Sequence, residues 1–148
     1  MRALVQRVSR AQVRVNGDRF SQIGKGLLVF LGIGLCDSTR DAQVLAKKVI
    51  RARLFPDEGG RMTFDLKTSG GSMLVVSQFT LFAELKRGNR PGFSEAAPSD
   101  IAEPLYKEFV AQASAEDALV ATGVFGAEME VELVNMGPVT LWYDTNEL

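Results

Sequence analysis

Val13-Arg14-Val15-Asn16-Gly17 and, shortly after it, Gly26-Leu27-Leu28-Val29-Phe30-Leu31-Gly32-Ile33 are the stretches that decide the fold class. The first closes a segment in which Leu4, Gln6 and Val8 alternate with Val5 and Arg7, and in which Val13 and Val15 are flanked by Gln12 and Arg14. That two-residue period is the pattern of a half-buried strand. Asn and Gly both tolerate positive φ, so Asn16-Gly17 predicts a two-residue hairpin turn. The second stretch is an unbroken apolar run bounded by glycines, which fits a strand covered on both faces better than a helix of that length.

Further along, the period changes. Ala42, Leu45, Ala46, Val49 and Ile50 recur at helical spacing between Ser38 and Phe55. Ser38 with Asp41 three residues on resembles a capping box, and Pro56 marks a stop. Asp57-Glu58-Gly59-Gly60 and Ser69-Gly70-Gly71 read as turns around a short strand from Met62 to Leu66. Met73 to Leu81 reads as a buried strand whose second half turns polar. A second helix is predicted from Ser99 to Ala113, with Ile101, Leu105 and Phe109 at intervals of four. Pro104 inside it implies either a loose first turn or a regular helix that begins at the proline. Glu128 to Leu133 alternates, with Met129, Val131 and Leu133 inward, and Val139 to Tyr143 is the last strand. The order strands, helix, strands, helix, strands in 148 residues predicts a single α+β domain whose largely antiparallel, curved or barrel-like sheet carries two main helices.

Composition narrows the chemistry. With 46% apolar and 24% charged residues, the chain is of ordinary globular make-up rather than disordered. It has no apolar run long enough to cross a bilayer, and its opening residues turn polar too soon for a signal peptide, so a cytoplasmic location is expected. One cysteine, Cys36, excludes an internal disulfide and a cysteine-rich zinc site. The most useful count is zero: there is no histidine. An imidazole base, a Ser-His-Asp or Cys-His arrangement and a histidine-ligated metal are therefore beyond the reach of a single chain. Charge is uneven, with 16 Lys and Arg against 7 Asp and Glu in residues 1–94, and 1 against 11 in residues 95–148. A basic surface that meets phosphates is one reading, and solvated charges with no partner is the other. A general-purpose duplex binder is disfavoured, since such domains carry a strong net positive charge.

Three polar interruptions of apolar segments are the places where function can sit. In Ser77-Gln78-Phe79-Thr80-Leu81, two hydroxyls and an amide end a core strand; an extended chain puts Gln78 and Thr80 on one face and Ser77 and Phe79 on the other. A strand simply leaving the core explains the same pattern. Gly88-Asn89-Arg90-Pro91-Gly92-Phe93, preceded by Lys86 and Arg87, is either a phosphate-contacting loop or an ordinary turn with surface cations. Asn135-Met136-Gly137-Pro138-Val139-Thr140 reads as a turn between strands, with bare backbone at Gly137 that a ligand can approach closely.

Taken together and in this order, these three motifs resemble the D-aminoacyl-tRNA deacylases. Ala3-Leu4-Val5-Gln6-Arg7-Val8 and Gly24-Lys25-Gly26-Leu27-Leu28-Val29 are similar to the same family, so the likeness spans essentially the whole chain without departure in the motifs. The resemblance implies hydrolysis of the ester joining a D-amino acid to the 3′-terminal ribose of tRNA, removal of glycine mischarged on tRNA for alanine, and rejection of L-aminoacyl-tRNA. It implies a homodimer with active sites at the subunit interface, no cofactor and no metal. It places the reacting ester near Ser77, Gln78, Phe79 and Thr80. It makes Gly137 and Pro138 a cis-peptide element that reaches into the partner subunit's site and excludes L-amino acids. Lys86, Arg87 and Arg90 are the expected tRNA contacts. An aminoacyl ester is already activated and has a vicinal ribose hydroxyl, so positioning and oxyanion stabilisation can suffice without a strong protein base. Thr80 is then either a nucleophile or a hydrogen-bond donor, with backbone N–H groups around Phe79 and Thr80 favoured for the oxyanion. The competing classes are a nonenzymatic RNA-end or nucleotide-binding module and a threonine-dependent hydrolase of small esters.

Overall fold

A computed structural model of the chain describes every residue except Arg87, and Arg19 by its backbone only. Strand β1 (Arg2–Val15) runs into Asn16 and Gly17 at φ 53° and 85°, the left-handed pair that the hairpin requires, and returns as β2 (Asp18–Ile23). Strand β3 (Gly26–Gly32) is antiparallel to β1, and all but one of its residues are buried. It is followed by helix α1 (Thr39–Arg51), the short hairpin β4 (Phe55–Pro56) and β5 (Met62–Phe64), and strand β6 (Ser72–Ser77). Helix α2 (Ser99–Ala115), β7 (Leu119–Thr122) and β8 (Glu130–Asp144) complete the chain.

The main sheet has the order β2-β1-β3-β6-β7, with β8 paired along β1. The hairpin neighbours and β8 are antiparallel, whereas β3-β6 and β6-β7 are parallel. The parallel part follows from the crossovers: α1 lies between β3 and β6 in the chain and α2 between β6 and β7, and a helix-length connection returns a strand in the same direction. The two ends of the path meet again where Ser21 Oγ donates to the Thr122 carbonyl at 2.7 Å. The sheet therefore nearly closes into a barrel.

Two apolar layers hold this together. One lies between the sheet and the helices: Ala3, Val5, Leu27, Val29, Leu31, Met73 and Val75 meet Ala42, Leu45, Ala46, Val49 and Ile50 of α1 and Tyr106 and Phe109 of α2. The other fills the inside of the curved sheet with Val8, Val13, Leu28, Leu74 and Val76. Each leucine or valine fully withdrawn from water contributes about 1.5–3 kcal/mol. Helix α1 begins at the Ser38 and Asp41 capping box and ends at Arg51, ahead of Pro56. Helix α2 begins at Ser99 with Pro104 inside it, and its buried line is Ala102, Tyr106, Phe109 and Ala113. Ile101, at the head of the four-residue spacing with Leu105 and Phe109, is 42% exposed, because the inward stripe follows alternate steps of four and three rather than a fixed step of four. Among the described residues no helix is long and apolar enough to cross a membrane.

Candidate active site

Strand β6 buries Met73 to Val76 and ends at Ser77. The extended chain stops there: Gln78 sits at φ −147°, ψ 80°, and Phe79–Phe82 wind into a single 3₁₀ turn. This corrects the expectation of a strand to Leu81, and the reason lies in Phe82. Its ring is buried against the backbone of Gly32 and Gly34, where a Cβ would stand 3.2 Å from Phe82 Cε2 and 2.8 Å from Phe82 Cε1 respectively. The Gln78 carbonyl comes equally close, 2.9 Å from where a Gly32 Cβ would be. Two bare glycines thus make the floor on which the turn sits. Gln78 and Thr80 still end up together, through the turn rather than through the pleat: Gln78 Nε2 donates to Thr80 Oγ1 at 2.5 Å.

The turn changes what the backbone offers. Gln78 N–H continues the sheet by donating to the Leu31 carbonyl at 2.8 Å, and Leu81 N–H closes the turn on the Gln78 carbonyl at 3.3 Å. Between them, the N–H groups of Phe79 and Thr80 have no acceptor among the described residues, the usual state of the first donors of a helical turn. Ser77, Gln78 and Phe79 form one wall of a cavity of about 530 Å³ whose other walls include Phe93, Ala97, Phe125 and Met129. That volume and apolar lining are ordinary for a small-molecule site. Thr80 is exposed and lies outside the lining. Its hydroxyl partner is an amide, which is not a base at neutral pH. Beneath the site, Tyr106 donates to the Val75 carbonyl at 2.8 Å, and burial pushes its phenol up to about 12.

The loop with the cations reaches the turn. Glu84 and Gly92 exchange backbone hydrogen bonds of 2.8 and 2.9 Å, and the Phe93 ring stands edge-on to Phe79 with centroids 4.9 Å apart. Lys86 and Arg90 are exposed on it, Lys86 Nζ being 3.8 Å from the Glu84 carboxylate. Arg87 lies outside the described residues.

The third motif is not part of this cavity within one chain. Along β1 and β8, Gln6 faces Thr140 and Val8 faces Asn135, so Met136 to Val139 are looped out opposite Arg7. The Gly137–Pro138 peptide is cis, and Gly137 adopts φ +114°. Arg7 Nε donates to the Met136 carbonyl at 3.2 Å, and its Nη1 donates to the Leu54 carbonyl. Asn135 brackets the loop from within, its Oδ1 accepting the Val139 N–H at 3.2 Å and its Nδ2 donating to Thr140 Oγ1 at 2.9 Å. Met136, Gly137 and Pro138 are all exposed. Sequence reasoning missed Gly32, Gly34 and Arg7. The available signals were a Gly-x-Gly directly after a buried strand and an arginine that alternation sets on the same strand face as Val5. Among the described residues no three His, Cys, Asp or Glu side chains converge to hold an ion.

Residues 4–144 match the family model described as D-Tyr-tRNA(Tyr) deacylase. A D-aminoacyl-tRNA deacylase of Dictyoglomus turgidum is 50% identical over 148 residues, covering 100% of this chain and 95% of its own. Among solved structures, one titled c-Myc DNA unwinding element binding protein superposes with a TM-score of 0.91 at 38% identity, covering 97% of this chain and 98% of its own. A probable eukaryotic D-amino acid tRNA deacylase shares the fold, with a TM-score of 0.81 at 16% identity and coverage of 96% and 97%.

Proposed function

The chain belongs to the D-Tyr-tRNA(Tyr) deacylase family, and from that premise we propose how it hydrolyses the ester bond of D-aminoacyl-tRNA. The observation that carries the reading is the pair of open N–H groups at Phe79 and Thr80, beside a cavity walled by Ser77, Gln78 and Phe79. Fixed backbone dipoles aimed at a developing oxyanion need no reorganisation as charge builds up. Water adds to the ester carbonyl carbon, its proton passing by way of the vicinal ribose hydroxyl. The bond from that carbon to the ribose oxygen then breaks, and the ribose oxygen leaves as a hydroxyl with the proton. The aromatic and apolar walls suit the terminal nucleoside, and Lys86 and Arg90 on the adjoining loop suit its phosphates, as does Arg87 by its place in the sequence. Raising salt then weakens binding.

The same reading makes the protein a homodimer. Gly137 and Pro138 stand exposed and braced, but away from the cavity of their own chain, and a partner's cavity is the place where such a loop can act. Rigid backbone excludes an L-side chain without depending on a rotamer, while glycine and D-side chains still fit. Acting on tRNA, the protein works in the cytoplasm.

The test is turnover of matched D- and L-tyrosyl-tRNA beside a free D-tyrosine ester, with and without a chelator. Hydrolysis of the D-tRNA alone, undiminished by chelation, is expected. Equal hydrolysis of both enantiomers, or a zinc-restored loss on chelation, contradicts the reading. The name of the structural neighbour at 38% identity favours one second reading, a nucleic-acid-binding module without chemistry; it requires binding with no turnover of any ester.

A further inference from the structure

Arg2 stands at the start of β1, opposite Asp144 of β8 on one side and Gly32 of β3 on the other. Its guanidinium joins three parts of the chain. Nε donates to Asp144 Oδ2 at 2.9 Å and Nη1 donates to the Leu81 carbonyl at 3.1 Å. The same group lies over the Phe82 ring at 4.4 Å and near the Trp142 ring at 5.8 Å. Leu81 and Phe82 are the last residues of the turn whose first two N–H groups are open. Among the described residues, Arg2 is the one side chain from outside the Gln78–Phe82 segment that hydrogen-bonds to it.

The brace is built to stay in place. The Arg2 side chain is 32% exposed and that of Asp144 only 11%. Burial pushes the Asp144 carboxyl up, but the Asn146 N–H at 3.0 Å and Arg2 outweigh this and leave it below the usual carboxylate range. The carboxylate is therefore charged at neutral pH and fixes the guanidinium plane. Only a planar fork can reach a carboxylate and a carbonyl while also covering a ring; a lysine ammonium on its flexible stem cannot do all three. The turn has a floor in Gly32 and Gly34 under the buried Phe82, and its peptides share one dipole direction, so a cation at its C-terminal end favours the turn.

We propose that Arg2 is a positioning residue for the hydrolysis: held by Asp144 and seated on Phe82, it fixes the Leu81 carbonyl and thereby the direction of the Phe79 and Thr80 N–H groups. This rests on reading the turn as the oxyanion site. Two variants test it, Arg2→Met, which keeps an apolar stem on the rings, and Arg2→Lys, which keeps the charge beside Asp144. Both are expected to lower kcat on D-tyrosyl-tRNA about tenfold with KM within about twofold, because misaligned donors cost transition-state rather than ground-state binding. Melting temperature in Arg2→Lys stays near that of the parent, and the backbone amide NMR signals of Phe79 and Thr80 move in both variants. A kcat within twofold of the parent in both, or a fall in kcat with those two amide signals unmoved, overturns the proposal. Should the parent itself fail to turn over D-tyrosyl-tRNA, the function reading fails, and the amide signals alone still decide whether Arg2 sets the turn.

Discussion

The Phe79–Phe82 turn and the Met136–Val139 loop both interrupt regular strand structure, yet they are held in opposite ways. The turn is pressed onto two glycines, anchored by a buried Phe82, and leaves its free N–H groups beside a cavity. The loop is pushed out of the β1-β8 ladder, held from behind by Arg7 and Asn135, and leaves Met136, Gly137 and Pro138 exposed. One is a receiving surface and the other a projecting one. Under the proposed function the projecting loop screens a substrate bound at the receiving turn of another subunit.

The sharpest way to break this contrast is to remove a donor from the receiving side. Phe79→Pro deletes an open N–H where the first position of a turn tolerates proline, and kcat should fall by about 10²-fold or more, as for other lost oxyanion donors. A fall of less than tenfold in steady-state turnover would move the oxyanion site elsewhere. On the projecting side, a Cβ at Gly137 meets Arg7 Nη2 at 2.8 Å and the residue is at φ +114°. Gly137→Ala should therefore shift the loop and lower the ratio of D- to L-tyrosyl-tRNA hydrolysis about tenfold, with the larger change in the L-arm. An unchanged ratio would free the loop of its selectivity role.

Smaller effects sharpen the picture. Thr80→Val should leave deacylation within about fivefold of the parent, because the hydroxyl has no base beside it and the backbone N–H remains. An acyl group trapped on Thr80 by mass spectrometry would reverse that. Smallest is Tyr106→Phe, which loses one buried hydrogen bond, about 1 kcal/mol. The phenol lies at about 12 in the folded protein against an ordinary 10.0. The stability it contributes is thus complete below about pH 10 and is lost as the pH climbs toward 12. Denaturation curves from pH 9 to 12 should lose that slope in Tyr106→Phe.

Much of this fold could be read from local chemistry. Asn16-Gly17, the glycine-bounded run of β3 and the Ser38 cap each specify their own conformation within a few residues, and the structure contains all three. What depended on distant partners could not be read in the same way. Strand β7 is a four-residue edge with an exposed Leu119, too short and too mixed to show a period. The turn after Ser77 exists because Phe82 must find Gly32 and Gly34, a contact across some fifty residues that no spacing rule encodes. Arg7 belongs to an alternating strand, and only the register with β8 shows that it faces a looped-out segment. Motif order pointed to the candidate site and, through the resemblance, to separate roles for turn and loop; how each is held needed the three-dimensional pairing.

That division can be tested directly by mixing two chains. Gly137→Ala is allowed to exchange subunits with a large excess of Phe79→Pro, and hydrolysis of L- and D-tyrosyl-tRNA is followed. If the turn of one chain is screened by the loop of its partner, the Gly137→Ala turns acquire intact loops, so L-hydrolysis disappears while D-hydrolysis persists. L-hydrolysis that stays constant per Gly137→Ala chain, whatever the excess, would mean that turn and loop act within the same subunit and would contradict the account.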